Sequence, residues 1–159
     1  MKQRELSLLL KAAIVITALV TLFLLQVFAP LVGDDYRRSA PEMAHLYWPL
    51  LLFLWGSSLP FFTALVLGWC IASDMGRDRS FCRENALRLK WVCRLALLES
   101  GIYCAALGIA VFLNIGSPGT SFLLIITILA GLVVAVIAAI LSHLVDKAVA
   151  LQQENDLTV

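Results

Sequence analysis

Four long apolar runs, parted by short polar segments, make up most of the chain: about residues 12–31, 46–71, 92–113 and 121–145. A hydrocarbon core about 30 Å thick needs roughly 20 apolar residues in a helix, so each run is long enough to cross. Stretches such as LLLFLW and FLLIITILAGLVVAVIAAIL do not alternate polar and apolar positions, as the strands of a membrane barrel do. Inside lipid every backbone N–H and C=O must be paired within the protein, so the runs are predicted to be helices. The pattern predicts an all-α integral membrane protein, a four-helix antiparallel transmembrane bundle, with residues 1–159 as one domain. Residues 72–91 form its longest loop and residues 146–159 an amphipathic tail, in which Leu144, Val145, Ala148 and Leu151 recur at helical spacing.

Composition strengthens this reading. Of 159 residues, 61% are hydrophobic and 14% charged, against roughly 25% charged in an average soluble domain. The net charge of +1 supplies no global basic field, so direct binding to nucleic acid is not expected. The distribution of charge carries more than its sum. Lys2, Arg4 and Lys11 precede the first run. Arg77, Arg79, Arg83, Arg88, Lys90 and Arg94 surround the second loop, and Lys147 follows the last run. The first loop holds Arg37 and Arg38, and the third holds no cation. Ten basic residues against two place both termini and the second loop in the cytoplasm, in an inner membrane. The first run is longer than the apolar core of a cleaved signal peptide, and Pro30 follows the best cleavage candidate, so a retained anchor is expected. Tyr36, Tyr47 and Trp48 fall at the outer boundary and Trp69 and Trp91 at the inner one. Trp55 falls between them and is expected to pack inside.

The third loop, NIGSPGT, is short and made of turn formers, so the last two spans must be neighbours. Small residues four apart mark the expected contact faces: Gly101 with Ala105, Cys104 with Gly108, and Gly131 with Ala135 and Ala139. The same faces could serve association with a second copy or another membrane protein. Pro60 should kink the second span, with Ser57 satisfying part of the freed backbone. Ser80 is placed to cap a helix from Phe81 into the third span.

Candidate chemistry is sparse. No nucleophile elbow, phosphate-binding loop or metalloprotease motif is present. Cys70, Cys82, Cys93 and Cys104 form no close pair, and His45 and His143 are isolated. No metal, cofactor, catalytic residue or enzymatic activity is expected. Glu99 is the exception, an acid roughly 8–12 Å inside the third span. Such residues usually face the bundle interior. Thr17, Thr21 and Thr63 fall at similar depth, and a hydrogen bond from Glu99 to one of them is the expected arrangement. A proton- or cation-coupled site is the functional alternative.

Three stretches carry a family resemblance: the ending Glu154-Asn155-Asp156-Leu157-Thr158-Val159, Pro60-Phe61-Phe62, and Ser80-Phe81-Cys82-Arg83-Glu84-Asn85-Ala86-Leu87. In these the chain resembles the YoaS-like bacterial membrane proteins, a family of unknown function (domain of unknown function 2975). Cys82 stands where that family is expected to have serine. The resemblance implies four spans and a neighbouring small helix-turn-helix regulator, hence a membrane partner for a cytoplasmic DNA-binding protein. Docking would fall on Arg77, Arg79, Arg83 and Arg88 and on the tail residues Glu154, Asn155, Asp156, Leu157 and Val159. Two other readings stand beside it: a small transporter or immunity-like protein using Glu99, and an accessory subunit of a larger membrane complex.

Overall fold

The computed structural model describes residues 3–39, 41–77, 81–113 and 118–156. Its elements are α1 (Gln3–Phe23), a π-helical turn (Leu24–Phe28), α2 (Ala29–Ser39), a 3-10 turn (Pro41–Leu46), α3 (Tyr47–Met75), α4 (Arg83–Phe112) and α5 (Pro118–Asp156). Four helical stretches are long and apolar enough to cross a membrane: Arg4–Leu31, Ala44–Met75, Arg83–Phe112 and Pro118–Glu154. Each extends beyond the apolar run read from sequence, because snorkelling side chains and helix-forming polar residues prolong the backbone past the lipid boundary. The first loop is largely helical as well. In α2, Gly33 lies so close to Tyr47 that a Cβ there would meet the ring at 2.7 Å, and Arg37 stacks on the same ring at 5.6 Å.

The helices pack in chain order. α1 lies on α3, α3 on α4, and α4 on α5, the last being the most extensive interface. No comparable contact joins α1 to α4 or α5 among the described residues, so the four-helix array is open on that side.

The π turn has an identifiable cause and consequence. Pro30 has no N–H and its ring crowds the preceding turn. The Ala29 N–H reaches back to Leu24 O, five residues away. The Leu25 carbonyl then has neither Ala29 nor Pro30 as a donor. Trp55 supplies the missing bond: its Nε1 donates to Leu25 O at 3.4 Å. Trp55 is therefore not packed inside as expected. It sits over the α1–α3 seam, 37% exposed, because the bond it makes lies there.

Of the small-residue faces, Gly131 and Ala135 do meet α4, and the rest fall differently. Gly101 and Gly108 have nothing within 4 Å of a would-be Cβ, and Cys104, Ala105 and Ala139 are exposed. The α4–α5 seam instead follows a three-and-four spacing. Ala86, Leu89, Cys93, Ala96, Ser100 and Leu107 face inward from α4, and Ile128, Gly131, Ala135, Ala138, Ser142 and Val145 from α5. This is the heptad geometry of helices crossing at a shallow angle. Its narrow residues let the backbones approach until hydroxyls reach across: Ser142 Oγ donates to Ala86 O at 2.9 Å, and Ser100 Oγ lies 3.5 Å from Ile128 O.

Two termini differ from expectation. α4 begins at Arg83 with Cys82 as N-cap residue, since the Cys82 carbonyl accepts from the Asn85 and Ala86 N–H groups; Ser80 lies outside the described residues. α5 begins at Pro118, where a missing N–H costs nothing. Ser57 does not reach the Gly56 carbonyl that Pro60 leaves without a donor. It donates to Leu54 O at 3.1 Å, which leaves its lone pairs to accept from Tyr103 Oη at 3.1 Å.

Candidate functional site

Polar side chains concentrate where α1 begins, α3 ends, α4 begins and α5 leaves the apolar run. Each helix interface is clamped there. Ser7 Oγ donates to Ala72 O at 2.6 Å and ties α1 to α3. Gly76 permits this approach, since a Cβ would stand 2.8 Å from the same hydroxyl. The Arg88 guanidinium joins α4 to α3 by donating to Asp74 Oδ2, and it also donates to Asn85 Oδ1 at 2.7 Å. Asn85 is 1% exposed, so its side-chain amide is a structural polar group of the junction. Lys90 Nζ meets Asp146 Oδ2 at 2.6 Å between α4 and α5. Among the described buried side chains every polar atom has a partner.

The candidate intramembrane residues do not converge. Glu99 is half-buried on α4, and no hydrogen bond to it occurs among the described residues. Thr63 is exposed and donates to its own helix at Leu59 O, 2.8 Å away. Thr17 is exposed and Thr21 partly buried on α1, a helix that packs on α3 and not on α4. The expected Glu99–threonine bond is therefore replaced by two others at this level of the bundle: the Ser57–Tyr103 bridge and the Ser100 contact with α5.

The candidate docking cations divide. Arg77 and Arg83 are exposed. Arg88 is engaged by Asp74 and Asn85, so it serves helix packing. Arg79 lies outside the described residues. In the tail, Glu154 is exposed, and Asn155 and Asp156 complete α5. Leu157 and Val159 lie outside the described residues. Asp74, Cys82 and Glu84 bring ligand-type atoms within 4.8 Å of one another, but Asp74 is already neutralised by Arg88.

Sequence reasoning passed over Ser7, Asp74, Asn85 and Ser142. The spacing of Ser142 from Ala135 and Ala138 carried the signal for one of them. The others sit where a polar residue at a membrane boundary reads as ordinary.

A family model described as protein of unknown function (DUF2975) matches residues 31–159. The uncharacterized membrane protein YoaS of Bacillus subtilis (strain 168) is 29% identical over 154 residues, which is 94% of this chain and 95% of that protein. No solved structure matches. A match running from the end of the first span through α5, together with similarity to a membrane protein along nearly the whole length, places this chain in the DUF2975 family.

Proposed function

We propose that this chain is a non-enzymatic inner-membrane platform, antiparallel in its spans and with both termini cytoplasmic, that docks a small cytoplasmic helix-turn-helix regulator. The observation that carries this reading is the length of α5. Its 39 residues amount to about 58 Å, nearly twice a hydrocarbon core. Beyond Val145 the helix continues to Asp156, about 16 Å further. Leu151 lies on that extension 59% exposed, an apolar anchor of the kind that a partner's groove accepts. Arg77 and Arg83 are exposed at the same end of the array. That the partner is a helix-turn-helix regulator rests on the family resemblance. Ion coupling through Glu99 has thinner support, since no threonine lies against it.

Orientation is tested by thiol labelling. In a chain whose other cysteines are replaced by serine, Cys82 should resist an impermeant maleimide in intact cells and react after permeabilisation. A cysteine introduced by Ser39→Cys, in a chain otherwise free of cysteine, should react in intact cells. The opposite pattern refutes the cytoplasmic assignment. Docking is tested by deleting residues 151–159, which removes Leu151, and co-expressing a tagged small helix-turn-helix regulator of the kind the family resemblance implies. Recovery of the regulator from mild detergent should fall at least about tenfold, the loss expected for a docking hot spot. Undiminished recovery refutes the tail as the docking element.

A further inference from the structure

The ends of α1 and α3 enclose a cleft of about 220 Å³ lined by Arg4, Lys11 and Arg77, with Ser7, Ser73 and Gly76 at its base. We propose that this cleft binds the headgroup phosphate of an anionic phospholipid, held between the first two spans.

Charge is the first argument. Two cations on α1 and one in the turn after α3 line one small volume, and no carboxylate lines it among the described residues. Among the described residues the nearest acids, Glu5 and Asp74, do not line it; Asp78, next to Arg77, lies outside the described residues. Glu5 lies two positions from Ser7, about 160° round the helix, and Asp74 is held by Arg88 on the α4 side. Two of the carbonyls ending α3, which would repel an anion, are occupied. Ala72 O accepts from Ser7 Oγ and from the Gly76 N–H, and Asp74 O accepts from the Arg77 N–H. The Lys11 ammonium lies over the Trp69 ring, 5.3 Å from its centre. That contact fixes the cation at the mouth of the cleft and leaves its donors available to phosphate oxygens.

Continuity with lipid is the second argument, and it selects a lipid over a soluble anion. Leu8, Val15 and Leu22 fall within about 60° of Lys11 around the helix. All three are exposed, at 61%, 43% and 51%. An apolar track therefore leads from the basic cleft along α1 toward the bilayer centre. A phosphate carrying acyl chains uses both features, whereas free phosphate uses only the first. Basic pockets between helices at the cytoplasmic boundary are suited to such headgroups.

The test uses the full-length protein in mild detergent and measures retained lipid by native mass spectrometry. Phosphatidylglycerol should be retained at least about tenfold more strongly than phosphatidylcholine of the same chain length, in keeping with several basic residues acting on one anionic headgroup. Combining Arg4→Gln, Lys11→Gln and Arg77→Gln should abolish that preference. Combining Arg38→Gln, Arg94→Gln and Lys147→Gln removes as many charges elsewhere and should leave it intact. Equal retention of the two lipids, or an equal loss in both triple variants, overturns the proposal. Millimolar inorganic phosphate should leave phosphatidylglycerol bound. Displacement by phosphate overturns the lipid assignment in favour of a soluble anion. Should the cleft variant fail to fold, Lys11→Gln alone should still reduce the preference, and no reduction overturns the proposal.

Discussion

Ala135→Leu is expected to be among the most damaging single substitutions in this chain, lowering stability by about 3 kcal/mol. Ala135 is 2% exposed in the middle of the α4–α5 seam. Its neighbours along the seam, Gly131, Ala138 and Ser142, are equally narrow. A leucine there has to part the two helices. Separation stretches the contacts that depend on close approach: Ser142 to Ala86 O, 2.9 Å, and Ser100 to Ile128 O, 3.5 Å. In lipid, association of helices rests largely on such packing and on interhelical hydrogen bonds, because the hydrocarbon offers no hydrophobic drive between them. Val136→Leu adds one carbon next door, on a face that is 58% exposed, and should change stability by less than about 0.5 kcal/mol. Unfolding monitored in mixed micelles separates the two outcomes. Similar stabilities for the two variants would show that α4 and α5 do not hold each other through this seam.

The spans were legible because their physics is one-dimensional: an apolar run of the required length in a chain with few charges has one way to satisfy its backbone. The neighbour relation of α4 and α5 was also legible from the short link between them. The packing face was not. Small residues are common on every side of these helices, and spacing by four marks Gly101 and Ala105 as readily as Gly131 and Ala135. Only the exposed positions of Gly101, Ala105 and Ala139, against buried Ala135 and Ala138, show which repeat is used. Glu99 drew attention because acids are rare in spans, but a depth estimate gives no azimuth. Thr17 and Thr21 match its depth on a helix that packs elsewhere. The Leu25–Trp55 bond was hidden for a different reason. It answers a vacancy created by Pro30 in another helix, and such a vacancy is visible only once the register of the two helices is known.

Asp74→Ala is expected to cost about 2 kcal/mol, because it leaves the Arg88 guanidinium partly buried with one of its two acceptors removed. The geometry distinguishes this pair from the other ion pair at the same end of the array. The side chains of Arg88 and Asp74 are 28% and 18% exposed, whereas those of Lys90 and Asp146 are 48% and 38% exposed. Exposed pairs are screened by water and salt and contribute little, so Asp146→Ala should cost less than about 0.5 kcal/mol. The difference does not mean that the Asp74–Arg88 pair is itself a large net source of stability. Replacing both partners, by Asp74→Leu with Arg88→Leu, removes the desolvated charges together and should recover most of the loss. A double-mutant cycle on unfolding in mixed micelles reads the coupling directly. Exchanging the two charges, by Asp74→Arg with Arg88→Asp, keeps the count of cations at this end and so preserves the expected orientation. It also moves the cation away from Asn85 Oδ1, and an aspartate placed beside that oxygen should restore only part of the coupling. If Asp74→Ala and Asp146→Ala prove equally mild, the α3–α4 junction is held by the Ser57–Tyr103 bridge and side-chain packing rather than by Arg88.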